Sequence, residues 1–356
     1  MPAEHESRRL RMAGALATAD LDSALVTDLV NVRYLTGFTG SSAVLAVKHD
    51  GSAEIATDSR YALQVREECA DVPAHITRGG LRFLAERMVA AGGDAAGFED
   101  LSLPVASWRG LPAGLDWRPL GPMVTHLRMT KDASELDLLR AACGASDAAL
   151  GVVLPRLRPG VTEREVARWL DDALRDRSEG PGFDTIVAAG INGAIPHHQP
   201  TDRPLVDGDL VTMDFGARVG GYHADMTRTV AIGRAADWQC EIYEVVQAAQ
   251  SKGVAALAPG LAASEIDAVS RAVIAEAGYG EYFGHGLGHG VGLQIHEAPF
   301  LGATSADKLS ASVPVTVEPG VYLPEQGGVR IEDTVVVHAD HVECLTTTTR
   351  DLLVVG

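Results

Sequence analysis

The second half of this chain repeats itself, and the repeat decides where its acids fall. RPGVTEREV, Arg158–Val166, is matched by APGLAASEI, Ala258–Ile266, at an offset of 100 residues. Each copy has a Pro-Gly turn, an aliphatic residue, then a glutamate and a β-branched residue opening a helix. Three further pairs follow in the same order: PHHQP (196–200) with IHEAP (295–299), VTMDFG (211–216) with VTVEPG (315–320), and ADMT (224–227) with IEDT (331–334). Each half thereby supplies one histidine followed by two acids: His197, Asp214 and Asp225 in the first, His296, Glu318 and Glu332 in the second. Duplication sets the two groups across a pseudo-twofold axis, so four carboxylates are expected to converge in the middle of a sheet. Four like charges cannot all stay ionised in a low-dielectric core without compensation, and cations are the natural solution.

The spacing fits paired strands. Asp225 follows Asp214 by the length of a strand, a turn and a return strand, with GARVGGY supplying the turn glycines; Glu318 and Glu332 bracket Gly320, Gly327 and Gly328 in the same way. Any one of these acids reads more simply as a turn residue or as the partner of Arg218, Arg228 or Arg330; the set reads as a ligand cluster. A third histidine source is FGHGLGHGVGLQIHEAP, Phe283–Pro299. His285 and His289 stand four apart, but a helix is excluded, because each of the alternating glycines would cost it about 1 kcal/mol relative to alanine. An extended chain puts both imidazoles on one face and the glycines on the other, where a backbone or a ligand can approach. His296 has the opposite parity and needs a bend to rejoin them. With His289 the set becomes four carboxylates and one nitrogen, hard donors that favour Mn, Co or Zn, with no cysteine nearby. Four negative charges and a hydroxide nearly balance two divalent cations, which at about 3.5 Å apart form a known aminopeptidase arrangement.

The first 128 residues are α/β in character: a helical SRRLRMAGALATAD, strand-like ALVTD and SAVLAV, then a helix-like SRYALQVREECA. Asp132 and Glu135 form a capping box that opens a new element, so the domain boundary is placed before it, giving domains 1–128 and 129–356. A chain of 356 residues suits two domains. The charged amino terminus has no signal-peptide pattern, and no run approaches the roughly 18 apolar residues of a membrane span, so a cytoplasmic protein without membrane contact is expected. Four dispersed cysteines read as reduced, packed thiols. A net charge of −18 argues against nucleic acid or an anionic membrane as partner.

Five segments in order, GINGAIPHH, VTMDFGARVGGYHADMTRT, FGHGLGHGVGLQIHE, VEPGVYLP and GGVRIEDT, resemble the motif series of the pita-bread metallopeptidases, specifically the Xaa-Pro dipeptidase and aminopeptidase P group. NVRYLTGFTGS and LRMTKDASELDLLR are similar to the amino-terminal domain and linker of the same family, so the resemblance covers nearly the whole chain. It implies an α/β amino-terminal domain of the creatinase type and an α+β pita-bread catalytic domain with an internal pseudo-twofold repeat. It also implies two divalent metal ions, with Asp214 on the first, His289 and Glu318 on the second, and Asp225 and Glu332 on both. His197 and His296 are cast as the histidines that bind substrate and stabilise the tetrahedral intermediate, Glu318 as proton shuttle, His285 as a wall of the proline-side pocket and Arg330 as the support of an acid. His198 is expected to be a structural or rim residue and His223 a surface or supporting group. The implied reaction is hydrolysis between an amino-terminal residue and proline in short peptides, by a homodimer. The compact length leans toward the dipeptidase, with aminopeptidase P as the alternative. Methionine aminopeptidases use the same ligands but usually lack so large a preceding domain. The complete ligand set speaks against the metal-free branches, creatinase and the binding proteins of this fold.

Overall fold

The helix that each Pro-Gly turn opens begins at the same place in both copies, Glu163–Arg175 and Ala263–Glu276. A computed structural model describes residues 2–356, and its contacts divide the chain into two units that meet between Arg128 and Met129.

The first unit is built on a mixed six-stranded sheet of β1 (Ser23–Val26), β2 (Ala43–Lys48), β3 (Ala53–Thr57), β4 (Ala74–Ile76), β5 (Ala95–Phe98) and β6 (Asp116–Pro119), in the order β4-β3-β2-β1-β5-β6. The helix Pro2–Thr18 precedes it. SRYALQVREECA does not form one helix: it splits into a 3-10 turn, Ser59–Tyr61, and a short helix, Gln64–Glu68. Asp58 accepts from the Arg60 amide at 3.0 Å and grips the Arg60 guanidinium as well, and this local side-chain bonding competes with helix continuation.

In the second unit the repeat becomes architecture. The first copy contributes β7 (Ile186–Ala189), β8 (Leu210–Phe215), β9 (Arg218–Val219), β10 (Tyr222–His223) and β11 (Met226–Ile232). The second contributes β12 (Gly288–Gly290), β13 (Glu297–Leu301), β14 (Val313–Val317), β15 (Gly320–Leu323), β16 (Gly327–Arg330), β17 (Asp333–Val337) and β18 (Val342–Cys344), and β19 (Val354–Val355) closes the chain. Strand β8 pairs antiparallel with β11 across the small β9/β10 hairpin, as β14 pairs with β17 across β15/β16. The larger sheets run β19-β11-β8-β7 and β13-β12-β14-β17-β18.

Each copy packs two helices on its strands. Leu150, Val153, Val166 and Leu170, from Ala133–Val153 and Glu163–Arg175, are buried with Val211, Met213 and Val230. Ile242, Val246, Ile266 and Ile274, from Asp237–Ala255 and Ala263–Glu276, are buried with Val315, Val317 and Val335. At about 1.5–3 kcal/mol for each fully buried aliphatic side chain, these two clusters hold the strand ends in register. The helix Ala133–Val153 starts at the capping box, where Asp132 accepts from the Glu135 amide at 3.0 Å and Glu135 accepts from the Asp132 amide at 2.9 Å. By length and composition alone the stretch from Ala133 could cross a membrane, although no bare apolar run stands out in the sequence. It carries Glu135, Asp137, Arg140 and Asp147, and its buried stripe is the core face just described.

The β9/β10 hairpin begins where two backbone segments run very close. A Cβ at Gly216 would lie 1.7 Å from the carbonyl oxygen of Ala224, beside Asp225. Gly216→Ala is therefore expected to lower unfolding stability by about 1–3 kcal/mol, the usual range for an overpacked site, read as a shift in the urea midpoint. An unchanged midpoint would show that this backbone can part without cost.

Candidate active site

All four repeat acids stand at strand ends. Asp214 is the penultimate residue of β8 and lies opposite Thr227 of β11; Asp225 immediately precedes β11; Glu318 immediately follows β14; Glu332 immediately precedes β17. Their side chains border one cavity of about 410 Å³, together with His197, His285, His289, His296 and Arg330. The structure thus brings every residue singled out from the sequence for ligation or catalysis, with His285 and Arg330, to a single hollow.

The glycines of Phe283–Pro299 explain themselves in this setting. Only Gly288–Gly290 is strand, so the expected extended run is shorter than the sequence suggested, because the flanking residues follow the cavity wall and leave the sheet. The strand is squeezed between β13 and β14: a Cβ at 288 would sit 2.0 Å from the Thr316 carbonyl oxygen, and one at 290 would sit 2.3 Å from that of Ala298. The bend 291–296 then carries His296 back against His289, with ring centroids 4.4 Å apart and planes at 77°. Behind this segment Arg271 binds the buried Asp267 and donates to the carbonyls of Phe283 and His285 at 2.8 and 2.7 Å.

His289 Nδ1 donates to the Gly290 carbonyl at 3.0 Å, which fixes the tautomer and turns Nε2 toward the acids. Nε2 lies 3.3 Å from Glu318 Oε1 and 3.6 Å from Asp225 Oδ2, a position open to a proton or a cation. Donor atoms of Asp225, His289 and Glu332 all fall within 4.8 Å of one another.

Arg330 Nη2 donates to Asp214 Oδ2 at 2.7 Å, and its Nε donates to Thr227 Oγ1 at 3.1 Å. Thr227 in turn donates to Glu332 Oε2 at 2.7 Å. Two carboxylate oxygens, Asp214 Oδ1 and Glu332 Oε1, are buried with no hydrogen-bond partner. The other candidate arginines are engaged elsewhere, Arg228 with Asp333 at 2.7 Å and Arg218 with Glu179 at 3.2 Å. Four acids therefore face one guanidinium, and the imbalance shows in their acidities. Burial pushes Asp214 up despite Arg330, and burial followed by the neighbouring carboxylates pushes Asp225 and Glu332 well above the ordinary range. Burial works the same way on Glu318, but the hydrogen bond and charge of His289, with His285 and Arg330, together outweigh it and hold that carboxyl at about 2. Burial opposes charge on His289, but the bond and charge of Glu318, with the Gly290 carbonyl and Asp214, together lift its pKa.

An unmatched buried polar atom costs about 1–3 kcal/mol, and more when charged. The two orphaned oxygens, the surplus of negative charge and the oxygen-rich donor set with one imidazole all fit divalent cations.

Tyr322 completes the wall and was not singled out from the sequence. Its hydroxyl accepts from Arg330 Nη1 at 3.0 Å and donates to His285 Nε2 at 2.8 Å, while His285 Nδ1 donates to the Gly286 carbonyl. Burial lowers the pKa of His285; burial and then the adjacent His289 lower that of His296. In the sequence, VEPGVYLP shows Tyr322 only as an aromatic in an apolar strand, so no local signal marked it. Phe183, Ile295 and Phe300 are apolar lining of the same kind. His197 is exposed at the mouth, whereas His198 points away and is buried against Glu163, its Nε2 2.9 Å from Oε2. It is a structural residue and not a rim one. His223 Nδ1 donates to the Gly292 carbonyl at 3.0 Å and braces the bend that carries His296.

Comparison with known proteins agrees with this geometry. The profile of metallopeptidase family M24 matches residues 137–339, and that of the creatinase/prolidase N-terminal domain matches residues 8–130. An uncharacterized peptidase of Bacillus subtilis is 39% identical over 340 residues, covering 94% of this chain and 96% of its own. The Xaa-Pro dipeptidase of Pyrococcus furiosus is 40% identical over 239 residues, 67% of this chain and 69% of that one. Among solved structures, an Xaa-Pro dipeptidase from Bacillus anthracis superposes with a TM-score of 0.94 at 37% identity, over 98% of this chain and 99% of its own. An X-Pro aminopeptidase from Thermotoga maritima gives 0.88 at 33% identity, over 94% and 98%.

Proposed function

Because this chain belongs to metallopeptidase family M24, we propose that it hydrolyses the peptide bond between an amino-terminal residue and proline, acting as an Xaa-Pro dipeptidase. The observation that carries the reading is the meeting of four carboxylates and one imidazole in a cavity with a single arginine and two unpartnered carboxylate oxygens. The lean to dipeptides is supported by relatives from Pyrococcus furiosus and Lactobacillus delbrueckii, both named Xaa-Pro dipeptidase, at 40% and 41% identity.

In this reading Asp214, Asp225, His289, Glu318 and Glu332 would hold two divalent ions, Asp214 serving the first, His289 and Glu318 the second, and Asp225 and Glu332 contributing to both. Bound there, the ions would supply Lewis acidity, easing ionisation of water near neutral pH and drawing charge from the scissile carbonyl. Arg330 keeps Asp214 oriented and, through Thr227, Glu332 as well. Glu318 accepts the proton of the attacking water and passes it to the proline nitrogen, which must be protonated to leave. His197 and His296 donate to the carbonyl oxygen as it gains charge. A proline nitrogen carries no N–H for a backbone clamp, so recognition falls to shape, and His285, held by Tyr322, forms part of that wall.

The oxygen-dominated donor set favours manganese, with cobalt and zinc as the ions to compare. A cytoplasmic homodimer completes the proposal, and light scattering on the purified protein tests the assembly. The X-Pro aminopeptidase match keeps a second substrate class in view, peptides longer than two residues. Hydrolysis of Ala-Pro well ahead of Ala-Pro-Ala is the expected result. The reverse order would assign the aminopeptidase, and preference for Met-Ala-Ser over both would overturn the proline reading.

A further inference from the structure

We propose that Glu163 and His198 form a positioning pair that holds the segment Gly190–Thr201 so that His197 stands at the cavity. Glu163 opens the helix Glu163–Arg175 and is 0% exposed. Its two oxygens accept five hydrogen bonds. Oε1 takes the Ala189 amide at 2.7 Å and Asn192 Nδ2 at 2.9 Å; Oε2 takes His198 Nε2 at 2.9 Å, the Thr201 amide at 3.0 Å and Thr201 Oγ1 at 2.6 Å. The four residues that carry these donors flank His197 on both sides in sequence, two before it and two after, so one carboxylate pins both arms of the loop.

Besides Glu163, the loop is reached by Arg330 Nη1, which donates to the Pro196 carbonyl at 3.4 Å, by the Arg164 amide on the Thr201 carbonyl at 3.0 Å and by the Arg203 amide on Thr201 Oγ1 at 3.2 Å. Apart from the 3-10 turn Gly190–Ala194, its own backbone bonds are Ile195 N to Asn192 O at 3.0 Å and His198 N to Ile195 O at 3.2 Å. No hydrogen bond to a described residue holds the His197 ring. The repeat supplies a control within the molecule: the corresponding helix of the second copy opens with Ala263, so a carboxylate is not needed to start this helix. What distinguishes the first copy is the irregular loop above its helix. Burial would raise the pKa of Glu163, but the donors from Thr201, Asn192, Ala189 and His198 together lower it, which keeps the carboxylate charged and able to accept all five bonds. His198 is then committed: Nε2–H points at Glu163 and cannot turn toward the cavity, leaving that role to its neighbour.

The proposal rests on the substrate role assigned to His197, and its test separates the two. His198→Ala and His198→Gln are made in the wild-type and in the His197→Ala backgrounds, and kcat and KM for Ala-Pro are measured beside metal content and thermal midpoint. The expected result is a fall in kcat/KM of about 10–100-fold for His198→Ala, the scale of losing a partner that orients a functional group. His198→Gln, whose Nε2 reaches the same oxygen, should recover most of the loss. In the His197→Ala background His198→Ala should cost nothing further, because the group it positions is gone. An equal loss in both backgrounds, or none in either, would overturn the pair. A wild-type protein inactive on Ala-Pro would instead refute the proposed substrate, and hydrogen exchange would still decide the positioning claim. Amides across 189–201 should exchange at least tenfold faster in His198→Ala, and unchanged protection there would refute it.

Discussion

Glu318→Gln is expected to cut the turnover of Ala-Pro by roughly 10³-fold or more, within the range for loss of a general acid–base group and with a metal ligand weakened besides. The amide matches the carboxylate in size. It can still accept the hydroxyl of Thr316, now at 3.0 Å from Oε1, and the backbone bond from the Glu318 amide to the Leu287 carbonyl at 2.8 Å is untouched, so the fold should survive. What the amide cannot do is take a proton from water and return it to a leaving nitrogen. The measurement is kcat with bound metal determined on the same sample. A variant within tenfold of wild type at full metal content would remove Glu318 from the proton path.

Exhaustive dialysis against a chelator is expected to abolish hydrolysis, and added manganese, cobalt or zinc to restore it. The reason is electrostatic. Asp225 and Glu332 share one small buried volume with Asp214 and Glu318, and Arg330 is spread over Asp214, Thr227 and Tyr322, so the acids cannot all be charged on protein compensation alone. The same cations should stabilise the fold, by about 2.7 kcal/mol when present at 100 times their dissociation constant. A rise in thermal midpoint should therefore accompany the return of activity. Activity that persists with no detectable metal would move the protein to a metal-free chemistry and sink the ligand assignment together with the role given to Asp225 and Glu332.

Much of the site could be read from the chain because duplication leaves its mark in order and offset. His197, Asp214 and Asp225 are echoed by His296, Glu318 and Glu332, and the paired strands β8/β11 and β14/β17 carry both sets of acids to the same hollow. The capping box of Asp132 with Glu135 was local enough to place. SRYALQVREECA was misread as one helix, since its composition favours helix while Asp58 and Arg60 bind each other and the chain turns. Tyr322 and Glu163 were missed for a different reason. Each is an ordinary residue in an ordinary strand or helix start, and its importance comes from what lies across space.

Residue chemistry and spacing along the chain were enough to decide that acids gather, that imidazole joins them, and that glycines forbid a helix around His289. These are properties of neighbours, set by side-chain type and by the periods of strand and helix. Tertiary packing alone decided that His198 is bound to Glu163, how the bend 291–296 returns His296 to His289, and that Arg330 serves Asp214 while Arg228 serves Asp333. Hydrogen bonds between distant segments select one partner among several of equal local merit, and that selection exists only after the two copies have closed on each other.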